Sequence, residues 1–350
     1  MEWKKILVTG SSGLIGSEMV GYFCNYSQEV VGVDNNQRKE FFGEDGDTSA
    51  VLSKLQELPN FRHVGLDIRD RDSVLQLFEN ERFDGIIHCA SQPSHDLAAR
   101  IPFVDFEVNA MGTLNLLEAN RRFCPESPFV FFSTNKVYGD APNHLPLMEL
   151  ETRWEFEKPE QRHGIDEELS IDHCVHSLFG VSKGSADLMV QEYGKNFGMP
   201  TVSLRGGCLT GPNHRGAELH GFLSYLIKCC VTQKPYTIFG YKGKQVRDNI
   251  HSLDVARCVY HVMKNPKCGE VYNLGGGAKN SCSLLEAIQK IESLTGKKMQ
   301  TSYSEKNRTG DHICYYSDLR KLKKDYHEWD VQIGLDQIFE EIYESWKDRF

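Results

Sequence analysis

No stretch of this 350-residue chain stays apolar over the roughly 20 residues that a bilayer crossing needs. The first apolar run, Ile6–Val8, stops at Thr9-Gly10. It is too short for the core of a signal peptide and reads as a first β-strand. Positive charge is also in short supply: 40 Lys and Arg face 49 Asp and Glu, for a net charge of −9. That balance argues against a broad nucleic-acid surface, and an anionic ligand has to be met by local cations. The 11 cysteines are scattered, with no C-x-x-C pair and only Cys229-Cys230 adjacent. Neither a disulfide framework nor a zinc pattern fits, and no metal is expected. Reduced thiols in a cytoplasmic protein are the expectation, with neither a nucleic acid nor a membrane as partner. Repeats and low-complexity tracts are missing as well.

What is present is alternation. Ile6–Val8, Val30–Val33, His63–Leu66, Gly85–Cys89 and Phe129–Phe132 are short apolar runs rich in β-branched or aromatic residues. Helical patterns lie between them, at Leu14–Cys24, Ser73–Phe78 and Asn109–Cys124. Strands that are apolar on both faces, separated by helices, predict an α/β fold with a doubly wound parallel sheet of the Rossmann type. Residues 142–175 are polar and weakly periodic, and read as a loop or lid. The spacing then predicts a helix over 181–197 and strands at Thr201–Leu204 and Glu270–Leu274. Helices are predicted at Leu284–Leu294 and Leu335–Trp346. The expected division is a dinucleotide-binding domain over 1–205, carrying the 142–175 insertion. A smaller substrate-binding lobe follows over 206–350, with some chain crossing back to the sheet.

Gly10-Ser-Ser-Gly13-Leu-Ile-Gly16 follows the first strand and opens a helix. Glycines there allow a tight turn and close approach of backbone to a pyrophosphate, while the helix N-terminus offers N–H groups to the phosphates. Gly10, Ser12, Gly13, Leu14, Ile15 and Gly16 are the expected contacts. Asp34 ends the second strand, 18 residues after Gly16. A carboxylate at that place accepts ribose hydroxyls and repels a 2′-phosphate, which favours NAD over NADP. Arg38 lies close enough to weaken that preference. Asn35 adjoins Asp34, Asp67-Ile68 closes the third strand where adenine would sit, and Ala90 follows the fourth.

With these pieces the sequence resembles the extended short-chain dehydrogenase/reductases, the NAD-dependent epimerase/dehydratase family. Within them it is most similar to the CDP-paratose 2-epimerases, also called CDP-tyvelose epimerases. The resemblance rests on Ser133-Thr-Asn-Lys-Val-Tyr-Gly-Asp140, Ser182-Lys-Gly-Ser-Ala-Asp187, Gly243-Lys-Gln-Val-Arg-Asp248 and Tyr272-Asn-Leu-Gly-Gly276. Related 4,6-dehydratases carry an Asp-Glu pair directly after the threonine, where this chain has Asn135 and Lys136. The resemblance therefore implies epimerisation of a nucleotide-linked sugar at C2 through a keto form, without dehydration. Net dehydrogenation or ketoreduction of such a sugar is the alternative.

The resemblance also implies roles. Thr134 holds the reacting oxygen, and Lys183 holds the nicotinamide ribose and keeps the local field positive. Asn109 supports the site. Gln92, Asn135, Gly207, Arg247 and Arg308 meet the substrate, the two arginines at phosphate. A homodimer through helices near 109–124 and 180–197 is implied by analogy. The superfamily's tyrosine stands four residues before the lysine, where this chain has Phe179. Three readings follow. Tyr138, His176, Cys174, Lys136 or Lys183 itself could act as base. The protein could bind NAD and sugar with little turnover. Or a tyrosine has been replaced deliberately.

Overall fold

In a computed structural model of the protein, residues 1–214, 221–307 and 310–347 are described. A seven-stranded parallel sheet organises the chain. Its first five strands are β1 (Trp3–Thr9), β2 (Ser27–Val33), β3 (Phe61–Val64), β4 (Gly85–His88) and β5 (Phe129–Thr134). From one edge the order runs Glu270–Leu274, Thr201–Gly206, β5, β4, β1, β2, β3. The apolar runs of the sequence are its centre: Ile6–Val8, Ile86-Ile87 and Phe129–Phe131 are buried throughout, as strands covered on both faces must be. The connections run outward from β1 to β3, then reverse at β4. The crevice beyond the carboxyl ends of β1 and β4 is therefore a topological switch point, the usual ligand position in such sheets.

The chain forms two compact units. The first comprises Met1–Thr134, Leu178–Arg205 and Val255–Tyr272, and the second Asn135–Ser177, Gly206–Asp254 and Asn273–Phe350. Residues 142–175, read from the sequence as an insertion in the first domain, fall within Asn135–Ser177 of the second unit. Val255–Tyr272 belongs with the first. The first unit's core joins Leu7, Val31, Phe78, Ile86, Leu117 and Phe129.

The second unit has two cores. Leu226, Ile288, Phe339 and Trp346 are shared by the helices Phe222–Thr232, Leu284–Thr295 and Leu335–Lys347. Val137, Tyr138, Phe156, Val246 and Tyr315 form the other. Its strand Val246–His251 runs antiparallel to Ser281–Ser283 and parallel to Cys314–Tyr315, so that Arg247 lies opposite Cys282 and Tyr315. Segment 142–175 is more ordered than its polarity suggests, because it contains an antiparallel pair, Leu147–Glu149 with Trp154–Phe156. No helix among the described residues is long and apolar enough to cross a membrane.

Candidate active site

The glycine turn is fixed by sterics. Gly10 has φ +65°, and a Cβ there would lie 2.7 Å from the Ala90 nitrogen. A Cβ on Gly16 would lie 2.0 Å from the Gly10 carbonyl oxygen. The first turn of α1 (Leu14–Phe23) therefore sits directly on the turn, with Gly13 at its N-cap, no side-chain cap and no acidic residue in its first turn. Its N–H groups have no competing anion of their own. The Ser11 and Ser12 hydroxyls are buried without a hydrogen-bond partner among the described residues. A helix start without a side-chain cap, two orphaned hydroxyls and a backbone that tolerates no Cβ fit a dinucleotide pyrophosphate.

At the end of β2 the Asp34 carboxylate is held in place: it accepts from Ser12 N at 2.9 Å and from Asn36 N at 2.7 Å. Asn35 donates to Asp67 at 3.2 Å. Asp67 also pairs with Arg69, at 2.6 Å. Burial pushes the Asp67 carboxyl up, but hydrogen bonds from Arg69 hold it below its usual range. Ile68 is buried, with its carbonyl accepting from Asn115. The Ala90 N–H donates to the Thr9 hydroxyl beside the switch point. The Arg38 guanidinium lies over the Phe42 ring, 4.8 Å from its centroid, and burial lowers its pKa to about 10.

The second cluster of the first unit lies where β5 meets the helix Leu178–Phe197. Lys183 is buried, donates to the Phe132 carbonyl at 2.6 Å and stands 4.2 Å from the Phe131 ring centroid. Burial pulls its pKa down to about 8, opposed by Asp187, Cys89 and Asp105. Thr134 is half-buried, two residues beyond the carbonyl that Lys183 holds. Phe179 lies one helical turn before Lys183. It is buried, with His95 edge-on at 6.3 Å.

Asn109 belongs to a π-helical turn, Glu107–Met111, inserted ahead of the helix Gly112–Phe123; it is not a helix cap. Such a turn re-aims side chains, and Asn109 donates to Ser182 Oγ, Asp105 Oδ1 and the Gln92 carbonyl, each at 3.1 Å. Asp105 was not singled out from the sequence, and Ser182 only as part of a motif, without a role. A carboxylate and a hydroxyl 77 positions apart leave no periodic signal. Gln92, expected to face substrate, is instead turned inward and fully buried. Its amide donates to Asp105 and to the Ser94 carbonyl, and its oxygen accepts from Ser94 N.

The remaining residues lie in the second unit. Arg247 Nη2 donates to Asp311, and Nη1 donates to the Val246 carbonyl at 2.6 Å. Lys136 Nζ donates to the Gly310 carbonyl at 3.0 Å and lies 3.8 Å from Asp311. Lys136 thus joins the Arg247 cluster. Tyr138 is fully buried and donates to Asn273 at 2.9 Å, which commits its phenol inside a core. Asn135 is buried nearby in sequence, on a short 3-10 turn. Gly207 leaves room for Asp248, whose Oδ1 a Cβ there would approach to 2.4 Å. His176 Nε2 donates to the Ile171 carbonyl at 2.8 Å and stands 3.4 Å from the Cys174 sulfur. Burial raises the Cys174 pKa. Arg308 lies outside the described residues.

Residues 6–275 match the NAD dependent epimerase/dehydratase family. The chain is 31% identical to CDP-paratose 2-epimerase from Salmonella typhi, over 97% of this chain and 98% of that one. It is 28% identical to dTDP-glucose 4,6-dehydratase from Salmonella typhimurium, over 92% of this chain and 87% of that one. Among solved structures, a Tyr-to-Phe mutant of UDP-glucuronic acid 4-epimerase from Bacillus cereus, in complex with UDP-4-deoxy-4-fluoro-glucuronic acid and NAD, has a TM-score of 0.81. It is 26% identical, over 99% of this chain and 100% of that one.

Proposed function

The chain belongs to the NAD dependent epimerase/dehydratase family and its cofactor is NAD; from that premise we propose that it epimerises a nucleotide-linked sugar at C2. The carrying observation is the pair Asn135-Lys136 directly after Thr134. A dehydratase needs acidic groups to remove water, and here one side chain is a neutral, buried amide and the other a cation beside Asp311. The similarity to a CDP-paratose 2-epimerase along nearly the whole chain supports the same reading.

When bound, NAD supplies reversible hydride transfer. The sugar loses hydride from C2 and the proton of its C2 hydroxyl, passes through a 2-keto form, presents its other face and regains both. No net oxidation results. The glycine turn and the Ser11 and Ser12 hydroxyls hold the pyrophosphate, and Asp34 holds a ribose. Lys183, fixed by the Phe132 carbonyl, orients the nicotinamide ribose. Its depressed pKa allows it to exchange a proton near neutral pH. Thr134 donates to the reacting oxygen, and Arg247 takes a substrate phosphate through its guanidinium fork. A homodimer of cytoplasmic location completes the proposal. So does a division of labour in which the first unit serves the dinucleotide and the second the substrate.

A second reading, a slow enzyme or a binding protein, is favoured by the apolar ring at Phe179. Incubation of the NAD-loaded protein with C2-deuterated CDP-, UDP- and GDP-sugars, followed by NMR, separates the readings. Inversion with deuterium retained at C2 is the expected outcome. Inversion with deuterium lost to water would replace hydride transfer by deprotonation. Accumulating NADH would indicate net oxidation. No inversion with any sugar, while binding persists, would leave the binding-protein reading.

A further inference from the structure

In the second unit two cations converge on one carboxylate. Arg247 donates to Asp311 Oδ1, and Lys136 stands 3.8 Å from the same oxygen. The segment that carries Asp311 is pinned by Asn143, which donates to the Asp311 carbonyl at 2.9 Å and accepts from Ile313 N at 2.7 Å. His312 donates through Nε2 to the Gly139 carbonyl and is fully buried. Burial, with Lys136 and Arg247 nearby, holds its pKa well below the usual value, so it adds no charge. Burial pushes Asp311 up, but Arg247 and Lys136 outweigh it and keep the carboxylate ionised. Among these three side chains, two cations meet one carboxylate. They retain 11%, 19% and 22% exposure for Arg247, Lys136 and Asp311, so solvent and solutes reach them.

We propose that Lys136 is a ligand of the substrate's diphosphate together with Arg247, and that Asp311 is a stand-in anion which the incoming phosphate displaces. The inference rests on the nucleotide-sugar reading above. The physical reason is charge balance. A lone Arg247 already neutralised by Asp311 would offer a phosphate little net attraction, whereas the second cation leaves the site attractive to an anion. A diphosphate carries more charge than one carboxylate and can engage a guanidinium fork and an ammonium together. A site built in this way selects nucleoside diphosphates over monophosphates. It also assigns Lys136 to binding and takes it out of proton transfer.

The test is calorimetric titration of the full-length, NAD-loaded protein with CDP, UDP, dTDP and the matching monophosphates, followed by steady-state kinetics with the substrate. Lys136→Met should weaken diphosphate binding roughly 10- to 100-fold, the range for losing a hydrogen bond to a charged group. The loss should fall on KM rather than kcat. Lys136→Arg, which restores the charge, should recover binding to within about threefold of wild type. Asp311→Asn should tighten diphosphate binding, by about tenfold, because the competing anion is gone. Thermal unfolding of each variant identifies any that misfolds, and the Met/Arg pair still decides if Asp311→Asn does. Wild-type affinity in Lys136→Met, or a collapse of kcat with binding unchanged, would overturn the proposal. Weaker binding in a folded Asp311→Asn would do so too. Failure of the wild-type protein to bind any nucleoside diphosphate would overturn the nucleotide-sugar reading itself. Diphosphate binding that is indifferent to Lys136 would overturn only this inference.

Discussion

At the scale of single residues, Phe179 is the position that tests which group serves as base. Its ring lies one helical turn before a lysine whose pKa is lowered to about 8 by burial. A phenol at 179 would add one hydroxyl near a group well suited to stabilise its ionised form. If the natural protein is slow for want of that hydroxyl, Phe179→Tyr should raise turnover by at least an order of magnitude, since general-base catalysis is worth roughly 10²–10⁴. Turnover is read as C2 inversion of deuterated sugar by NMR. A neutral or harmful effect would mean that another group already serves as base. Tyr138 is then a poor candidate, because its hydroxyl is committed to Asn273 in a core. Phe179 and Lys183 were legible in the sequence because four-residue spacing on a helix is a local signal. Burial, which lowers the lysine's pKa most, was not, nor were Cys89, Asp105 and the Phe132 carbonyl, which reach it only through the fold.

At the scale of elements, the glycine turn was the most legible part. A strand, three glycines and a helix in that order permit one backbone path, and the 2.0 Å approach at Gly16 shows why. Asp34 is bound into the same element by Ser12 N and Asn36 N. Asp34→Ala should therefore cost roughly 1–3 kcal/mol of NAD affinity, the range for a charge-assisted hydrogen bond. Equilibrium binding of NAD checks this, and an unchanged affinity would remove Asp34 from the ribose site. The strand Val246–His251 illustrates what remained hidden. Asp248, inside it, accepts from Ser317 N and Gly277 N through one oxygen, while its other oxygen has no partner among the described residues. Nothing in a Val-Arg-Asp-Asn run announces such burial, because the covering backbone comes from residues far along the chain. Burial raises the Asp248 pKa to about 6, opposed by hydrogen bonds from Ser317.

That shift has a definite sign. The folded state retains the Asp248 proton where the unfolded chain has released it. The associated stability is complete below the ordinary carboxylate range and is lost as pH rises through about 6. Asp248→Asn cannot ionise, so its stability relative to wild type should increase by roughly 1 kcal/mol between pH 5 and pH 7. Urea unfolding of both proteins at the two pH values measures it. A stability difference that is the same at both would show that Asp248 is ionised in the folded state throughout.

At the scale of the whole molecule, the division into units was the least legible feature. Composition changes near residue 142 and again near 206, yet each unit is assembled from three separate segments. Contacts between distant segments define a unit, and a linear reading sees only the sequence neighbours. The same gap hid an apolar face on the first unit. Phe103 is 82% exposed, and Phe106, Met111, Leu178, Val181 and Leu188 are between 42% and 51% exposed. They lie on the helix Pro102–Phe106, the π-helical turn and the helix Leu178–Phe197, three elements in mutual contact. Leu178, Val181 and Leu188 recur at the spacing of one helical face. A monomer leaves such a cluster in water at a cost, whereas a second copy docked about a two-fold axis would cover the same residues on both chains. A stable dimer of this kind needs roughly 1,600 Å² of buried surface, within reach of two helices and a turn from each chain. Sedimentation equilibrium at micromolar concentration should therefore give twice the 39.9 kDa chain mass. Leu188→Glu and Phe103→Glu should each shift the protein to the monomer, because two-fold symmetry brings two copies of the new charge into one apolar interface. Both variants should retain NAD, because neither Leu188 nor Phe103 is among its expected contacts. A wild-type protein that sediments as a monomer at tens of micromolar would refute the dimer.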